Sequence, residues 1–314
     1  MTIVGAAGKL FFAGEYGVLH GGTAVVAAVD RGVVAHFAAG AAPASPVVAE
    51  ALAAVRAHAD ATGAALPAGA PQIDSASLSE DGRKLGLGSS AAVAAAAVAS
   101  LLDAAGADVE AQRWLIFRLA DRAHRAAQGG RGSGADVAAA IFGGVVAYTR
   151  PEVGDPTVRA LVPPAALVPV VVSTGAPSGT VDHVRAVERL AARDPGAHAR
   201  RLRDIRQAAD GFLQAYETGD PPALLAAVGA AHEALGALGR DADLAIVTPA
   251  LDAAAALARE AGGAAKPSGA GGGDVGIAFF SDPDAAQRFR TAADRHGLRI
   301  LSINTGARGL WRGQ

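Results

Sequence analysis

The chain has 314 residues, of which 51% are hydrophobic and 18% charged, so it can form a sizeable core and two domains are expected. The formal net charge of −2 gives no electrostatic basis for binding nucleic acid or an anionic membrane, and the lack of cysteine excludes disulfides and cysteine nucleophiles. The small apolar run 91–99 is too short to span a bilayer, and residues 1–8 lack the features of a signal peptide. We therefore expect a cytoplasmic protein.

The first quarter of the chain predicts short strands around one helix. Residues 8–20 begin as a strand and then meet two glycines at which the backbone must turn. Residues 23–39 contain enough β-branched side chains to be strand, with a turn at 30–32. A short helix is expected at 47–61, within an Ala/Pro-rich stretch.

Glycine-rich loops alternate with helices in the middle of the chain. Residues 80–90 form a loop that opens directly into a strongly helical Ala/Val/Leu segment at 91–102. A second helix is expected at 108–127, followed by a second flexible loop at 128–136. Residues 151–166 contain four prolines and predict a crossover between two domains.

The second half of the chain predicts consecutive helices bounded by strands. Its predicted elements are a strand at 167–173, helices at 180–192, 198–217 and 222–238, a helix beginning at Thr248-Pro249, a strand at 275–280, a helix at 284–296 and a strand at 300–304. Because these helices follow one another without intervening strands, the order favours an α+β fold over a doubly wound parallel sheet.

The loop 86–91, Gly-Leu-Gly-Ser-Ser-Ala, lies immediately before a predicted helix. Unpaired N–H groups and the positive end of the helix dipole attract an anion there, and Lys84 adds a nearby positive charge. The alternative is an ordinary helix-capping loop with serine as the cap. The stretch also matches G-x-G-x-x-[GA], but residues 80–84 are not the buried strand that a dinucleotide fold requires. The P-loop sequence G-x-x-x-x-G-K-[ST] does not occur.

Two further loops contain residues suited to chemistry. A carboxylate such as Asp136, held near a phosphate site, orients or deprotonates an attacking hydroxyl, which contributes ~10²–10⁴ in rate. The alternative is that Asp136 caps a helix starting at Val137, and spacing alone favours that cap. The third loop, 268–274, has four glycines in five residues. Because glycine-rich turns lose much conformational entropy on folding, we expect this loop to approach another loop or a ligand closely.

Together the three loops resemble the motifs of the GHMP kinase superfamily. Residues 8–16 resemble its first motif, residues 86–91 its second, and residues 269–273 its third. Within the superfamily, the resemblance is strongest to the phosphomevalonate kinase family. That likeness is carried by Lys84–Ser90, by Gln128-Gly129 with Gly132-Ser133-Gly134-Ala135-Asp136-Val137-Ala138, and by Lys266–Asp274.

The resemblance implies a fold and an activity. It implies a mixed-sheet ATP-binding domain at 1–160 and a ferredoxin-like domain at 161–314. The implied reaction is phosphoryl transfer from ATP to 5-phosphomevalonate, with Mg²⁺ as cofactor. Mevalonate kinase or another small-molecule kinase of the superfamily is the alternative, and a catalytically silent binding protein of this fold is a third possibility.

The resemblance also implies residue roles. Asp136 corresponds to the catalytic aspartate, Lys9 to a lysine that steadies charge on the acceptor, and Ser90 to the serine that coordinates Mg²⁺. His124 stands where mevalonate kinase has a glutamate as second metal ligand. The implied ATP-binding residues are Lys84, Gly86, Leu87, Gly88, Ser89, Ser90 and Ala91. The implied substrate-binding residues are Lys9, Glu15, Tyr16, Arg131, Ser133, Gly134, Lys266, Ser268, Gly269 and Gly271.

Overall fold

The computed structural model describes residues 2–80, 82–175 and 180–313, which group into two compact units. The first unit contains Ala27–Val146 and both ends of the chain, up to Lys9 and from Asn304. The second unit contains Leu10–Val26 and Ala147–Ile303. A single boundary near residue 160 was predicted from the sequence. The structure differs because residues 10–26 and 147–160 belong to the second unit and the C-terminal segment to the first.

Strands and helices are mixed along the chain. The strands are β1 (Ile3–Ala13), β2 (Thr23–Ala39), β3 (Gly69–Asp74), β4 (Ser79–Glu80), β5 (Arg83–Lys84), β6 (Val145–Thr149), β7 (Thr157–Leu161), β8 (Val168–Ser173), β9 (Ala264–Pro267), β10 (Val275–Phe280), β11 (Arg299–Leu301) and β12 (Trp311–Gly313). The α-helices are α1 (Pro46–Thr62), α2 (Ser89–Ala104), α3 (Arg113–Ala127), α4 (Ala135–Phe142), α5 (Thr180–Arg193), α6 (Pro195–Thr218), α7 (Pro221–Asp241), α8 (Pro249–Glu260) and α9 (Pro283–Arg295).

The larger sheet has the strand order β12-β1-β2-β6-β7, with β3 paired to β2. In the first unit, β12 runs antiparallel to β1 with Ile3 opposite Gly313, and β3 runs antiparallel to β2 with Val34 opposite Asp74. Helices α1 to α4 pack on one another in the same unit. Helix α2 is lined by alanines, and Ala94 to Ala99 are fully buried. Small side chains thus let these helices approach closely.

The second unit has a ferredoxin-like arrangement, which confirms the prediction for this part of the chain. Its sheet has the order β11-β8-β10-β9, and each neighbouring pair is antiparallel. Helices α5 to α8 connect β8 to β9, and α9 connects β10 to β11. This is the β-α-β-β-α-β pattern with additional helices in the first crossover.

Helix starts in the second unit follow the capping rules. The Asp194 carboxylate accepts the N–H of Ala197 at the start of α6, and the Thr248 hydroxyl accepts the N–H of Leu251 at the start of α8. Each cap precedes a proline at the first helical position, where a missing N–H is harmless. The helix predicted after Thr248 is therefore confirmed.

Three segments differ from the sequence-based prediction. Residues 30–32 form no turn, because β2 continues through them; a Cβ on Gly32 would lie 2.3 Å from the Ala6 carbonyl, so glycine permits close strand pairing here. The proline-rich crossover contains strand β7. The predicted loop at 80–90 begins as the short antiparallel pair β4 and β5, which carries Lys84.

Helix α7 has the length and composition of a membrane span, with a mean hydropathy of 1.2. Its apolar residues instead contribute to the core of the second unit. Leu224, Val228, Leu235 and Leu238 are all buried, and α7 packs along α6. Such a helix is typical of the interior of a folded domain.

We expect the second unit to lose stability as the pH falls below neutrality. The rings of His20 and His198 pack edge to face with centroids 5.2 Å apart, and Arg206 donates to the His20 carbonyl. Partial burial, followed by the charges of His198 and Arg206, lowers the pKa of His20, and burial lowers the pKa of His198. The unfolded chain therefore binds more protons than the folded chain below about pH 6.5, so the free energy of unfolding falls there.

Urea unfolding of the wild type and of His198→Phe between pH 8 and pH 5 tests this expectation. The variant keeps an aromatic ring but cannot titrate, so its stability should fall less on acidification. His296→Phe, at an exposed position, is the matched control and should follow the wild type. Parallel curves for His198→Phe and the wild type would contradict the assignment.

Candidate active site

The loop 86–88 turns sharply into helix α2. Gly86 and Gly88 have φ values of 70° and 76°, a left-handed conformation that glycine adopts without strain. Gly88 is the N-cap, and the first helical bond runs from the Ala92 N–H to its carbonyl over 3.2 Å. The N–H groups of the three preceding residues, Ser89 to Ala91, therefore have no carbonyl partner within the helix. This geometry suits an anion at the start of α2.

Lys9 lies directly against this loop. Its N–H donates to the Leu87 carbonyl over 2.8 Å, and its side chain runs across Gly88. A Cβ on Gly88 would lie 2.7 Å from Cγ and 2.9 Å from Cε of Lys9, so any other residue would displace the lysine. Gly8 also packs closely against the loop, because a Cβ added at this residue would lie 2.9 Å from the Leu87 carbonyl oxygen. The structure thus brings Lys9 and the 86–90 loop together.

Asp136 belongs to the first turn of α4, which packs against α2. The sequence favoured Asp136 as a helix cap, but the N-cap is Gly134, with a φ of 86°, and the helix begins one residue before Asp136. The helix starts earlier than predicted because Gly134, in a left-handed conformation that glycine adopts without strain, turns the chain into α4 before Asp136 is reached. Oδ1 of Asp136 accepts the N–H of Val137 over 3.0 Å, and Ser133 Oγ accepts the N–H of Ala135 over 3.2 Å.

His124 and Gln128 on helix α3 lie beside Asp136. His124 is 1% exposed, and its Nε2 lies 3.9 Å from Oδ2 of Asp136 and 2.7 Å from Nε2 of Gln128. Gln128 belongs to the predicted second loop, but no role was predicted for it. Its spacing of four residues from His124 was the available signal, because such residues share a helix face.

Helices α2 and α4 carry the oxygen atoms that could bind a metal ion at this site. Within residues 2–80, 82–175 and 180–313, no three His, Cys, Asp or Glu side chains form a group that could hold a metal ion. Mg²⁺ needs no such group, since it commonly takes one or two protein oxygens and completes its shell with water and phosphate. The Ser90 hydroxyl on α2 and the Asp136 carboxylate on α4 are oxygens of the required kind.

Lys84 and Arg131 are the other basic residues predicted beside these loops. Lys84 is exposed on strand β5, two residues before Gly86. Arg131 is half-buried in the loop after α3, with Nη1 beside Gly129. Their contacts with phosphate stay predictions.

In the second unit, Glu15 and Lys266 form a buried ion pair. The side chains are 2% and 0% exposed, and the Lys266 ammonium also donates to the Pro267 carbonyl over 2.8 Å. Oε1 of Glu15 accepts the N–H of Gly269 at 3.4 Å, and Ser268 Oγ accepts the N–H of Phe11 at 2.9 Å. These contacts hold the first motif on the 268–274 loop. Substrate binding by Glu15, Lys266, Ser268 and Gly269 stays a prediction, although the ion pair gives both charges a structural role.

Tyr16 makes a second connection to the 268–274 loop. Its hydroxyl donates to the Ala270 carbonyl over 2.5 Å, and the ring packs in a core cluster with Leu202 and Ile205. Burial, and secondarily the charge of Glu15, raises the pKa of the Tyr16 phenol well above its usual value, which keeps the donor protonated. Tyr16 has a φ of 58°, an uncommon conformation for a tyrosine that the surrounding packing maintains.

The glycines of the 268–274 loop permit close contacts, as the sequence predicted. A Cβ on Gly271 would lie 2.4 Å from the Ile246 carbonyl oxygen, and one on Gly272 would lie 2.0 Å from Cε1 of His183. Nδ1 of His183 lies 3.1 Å from the Ala270 carbonyl, and since a carbonyl only accepts, that nitrogen carries a proton. No local pattern pointed to His183 or Ile246, because both come from distant parts of the chain.

Removing one partner of the buried ion pair should destabilise the protein strongly. Lys266→Met leaves the Glu15 carboxylate buried without its counter-charge, which should lower the free energy of unfolding by about 3–5 kcal/mol. Adding Glu15→Gln should recover much of that loss, because the orphaned charge disappears. Urea unfolding measures all three proteins.

The exposed pair Arg193–Asp243 provides the matched control. Its side chains are 58% and 76% exposed, so Arg193→Met should change stability by less than about 1 kcal/mol. A loss for Lys266→Met as small as that for Arg193→Met would show that the buried pair does not hold the two segments together.

Comparison with known proteins places this geometry in a family. The N-terminal domain model of the GHMP kinases matches residues 47–144, and the C-terminal domain model matches residues 212–298. The phosphomevalonate kinase of Streptomyces sp. (strain CL190) is 36% identical over 263 residues, covering 75% of this chain and 68% of that relative.

Two solved structures have the same fold over nearly the whole chain. The Lin0012 protein from Listeria innocua superposes with a TM-score of 0.89 at 25% identity, covering 100% of this chain and 99% of the other. Streptococcus pneumoniae phosphomevalonate kinase, in complex with phosphomevalonate and AMPPNP, superposes with a TM-score of 0.85 at 22% identity, covering 97% and 100%. The matched domain models and the Streptomyces relative together show that this chain belongs to the GHMP kinase family.

Proposed function

We propose that this protein is an ATP-dependent phosphomevalonate kinase, which transfers the γ-phosphoryl group of ATP to 5-phosphomevalonate and releases ADP and 5-diphosphomevalonate. The observation that carries the proposal is the 36% identity to a phosphomevalonate kinase over three quarters of the chain. The geometry around Lys9 and the 86–90 loop supports it independently.

The 86–90 loop is suited to the phosphates of ATP. The N–H groups of Ser89, Ser90 and Ala91 lie at the positive end of the α2 dipole, where they can donate hydrogen bonds to phosphate oxygens. Two left-handed glycines allow the backbone to curve around the anion without a side chain in the way. One dipole contact contributes only about 0.3–1 kcal/mol, so binding requires several donors together with positive charge.

Lys9 supplies positive charge beside that loop. Its aliphatic chain runs across Gly88 and the residue is only 8% exposed, so little rotamer freedom is lost on binding. Mg²⁺ would supply positive charge that neutralises the phosphates. In the proposal, the Ser90 hydroxyl is its protein ligand.

Asp136 orients the acceptor in this mechanism. An oxygen of the acceptor phosphate attacks the γ-phosphorus, the bond from that phosphorus to the bridging oxygen of ADP breaks, and ADP takes the electron pair. Because a phosphomonoester is largely ionised at pH 7, no general base has to remove a proton. The residues therefore act by positioning and by neutralising charge.

The proposal also covers the cellular compartment and the binding partners of the protein. An acidic small-molecule substrate, a net charge of −2 and a chain without cysteine are compatible with an enzyme of the cytoplasm that binds neither nucleic acid nor membrane. Arg131 is a candidate contact for the phosphate of the acceptor and Lys84 for the phosphates of ATP, whereas Lys266 is paired with Glu15.

A coupled ADP-release assay with mevalonate and phosphomevalonate side by side tests the function. We expect turnover with phosphomevalonate alone, with ³¹P spectra showing a new diphosphate. Turnover of mevalonate alone would reject the substrate and favour mevalonate kinase, whereas no turnover of either would reject the assignment. Asp136→Ala should lower kcat at least ~100-fold with an unchanged unfolding curve, because the acceptor is no longer held in position.

The control for Asp136 is another aspartate in the first turn of a helix. Asp284 is an exposed first-turn residue of α9, so Asp284→Ala should keep wild-type kcat. Equal turnover of Asp136→Ala and Asp284→Ala would remove Asp136 from the mechanism.

Gly88→Ala should weaken ATP binding by more than backbone strain explains. The added methyl group would meet Cγ and Cε of Lys9, so the ammonium must move away from the loop. Gly106→Ala is the matched control, since Gly106 has a φ of 84° and a methyl group added there would have nothing within 4 Å. Both changes should lower stability by about 1–2 kcal/mol.

Isothermal titration calorimetry with a non-hydrolysable ATP analogue separates the two variants. We expect at least ~10-fold weaker binding for Gly88→Ala and wild-type binding for Gly106→Ala, since one lost charge-assisted contact is worth about 1.5–3 kcal/mol. Equal affinities would show that contact between Lys9 and Gly88 is unimportant for the nucleotide.

A further inference from the structure

The backbone of the 268–274 loop is bound by other segments of the second unit. The N–H of Gly269 donates to Oε1 of Glu15 at 3.4 Å, and the N–H of Gly272 donates to the Ile246 carbonyl over 2.8 Å. The loop before helix α2 differs, because the first N–H groups of that helix have no carbonyl partner within it. The 268–274 loop is therefore a segment whose conformation is fixed by contacts from the rest of the unit.

The Ala270 carbonyl in the middle of this loop accepts two side-chain donors. The Tyr16 hydroxyl donates to it over 2.5 Å, and Nδ1 of His183 donates to it over 3.1 Å. A carbonyl oxygen has two lone pairs, so both hydrogen bonds form at the same time. The two donors are 254 and 87 residues away from Ala270 along the chain. One backbone oxygen thus joins the first motif and helix α5 to the third motif.

The His183 ring also packs on Gly272, two residues beyond Ala270. His183 is half-buried in the first turn of α5, and Gly272 has a left-handed φ of 77°. A Cβ on Gly272 would lie 2.0 Å from Cε1 and 2.6 Å from Nε2 of this ring, so the imidazole occupies the space of the missing side chain. His183 therefore contacts the loop on both sides of Gly271, through Nδ1 at one residue and through the ring at the other.

We propose that His183 is a positioning residue, which holds the 268–274 loop in the conformation that binds the phosphoryl acceptor. It does so by donating from Nδ1 to the Ala270 carbonyl, and Tyr16 supplies the second donor to the same oxygen. The inference rests on the proposed function for its kinetic consequence. The shared carbonyl, by contrast, is a property of the protein without substrate.

Two substitutions of His183 separate its donor from its ring. The amide nitrogen of His183→Asn takes the place of Nδ1 and keeps a donor toward Ala270, whereas His183→Phe keeps a ring beside Gly272 and has no donor. We expect His183→Phe to raise the KM for phosphomevalonate at least ~10-fold and His183→Asn to stay within about 3-fold of wild type, because a small misplacement of binding groups is costly. The KM for ATP should stay near its wild-type value in both variants.

His232→Phe is the matched control for a loss of structure. His232 is another half-buried histidine of a helix in the second unit, and its Nε2 lies 3.0 Å from Oδ1 of Asp252. Its substitution should leave both KM values unchanged. A wild-type KM for phosphomevalonate in His183→Phe would refute the positioning role. Equal increases in His183→Phe and His183→Asn, or equal increases for phosphomevalonate and ATP, would refute it as well.

Urea unfolding of Tyr16→Phe, His183→Phe and the double variant tests the shared carbonyl without any substrate. Each single variant leaves Ala270 with one donor, and only the double variant leaves its carbonyl without either. The loss of unfolding free energy in the double variant should therefore exceed the sum of the two single losses. Additive losses would overturn the inference.

The failure of this inference is distinguishable from the failure of the proposed function. If the wild type turns over neither mevalonate nor phosphomevalonate, the proposed function fails, and the unfolding measurements still decide whether the two donors share the carbonyl. If the wild type phosphorylates phosphomevalonate and His183→Phe has the same KM for it, only the role of His183 fails.

Discussion

The contact between the Lys9 side chain and Gly88 is the constraint on which the candidate site depends. The lysine occupies the space that a Cβ would fill, 2.7 Å from its Cγ, so the loop can pass beneath a buried cation only because residue 88 is glycine. The left-handed φ of 76° at the same residue then starts helix α2 with its N–H groups directed outward. One residue thus brings together the two features that a polyphosphate requires, backbone donors and a positive charge.

The 268–274 loop uses glycine for a different reason. Its glycines leave room for the Ile246 backbone and the His183 ring, while Glu15 and Tyr16 hold the loop through an ion pair and a hydroxyl donor. A buried ion pair contributes little net stability relative to apolar packing, but breaking it is costly. The arrangement that pairs Glu15 with Lys266 therefore has a much lower free energy than arrangements that separate the two charges. The charges of these two motifs therefore act on each other within the second unit.

The position of the Asp136 carboxylate depends on tertiary contacts and not only on its own helix. As a helix cap, the residue would need only its own helix. Because Gly134 is the cap, the carboxylate has one oxygen on the backbone and the other near a buried histidine from a different helix. This arrangement suits a reaction in which the acceptor is already ionised and catalysis consists of orientation and charge neutralisation.

The sequence by itself determined the features that depend on neighbouring residues. The cap at Thr248, the consecutive helices of the second unit, the turn before α2 and the three motifs were all predictable, because each depends on residues a few positions apart. Only the tertiary structure decided that β2 continues through Gly32, that β7 lies among prolines, that Lys266 pairs with Glu15 and that His124 faces Asp136. The physical reason is distance along the chain: Glu15 and Lys266 are 251 residues apart, so no local pattern reveals that folding makes them partners.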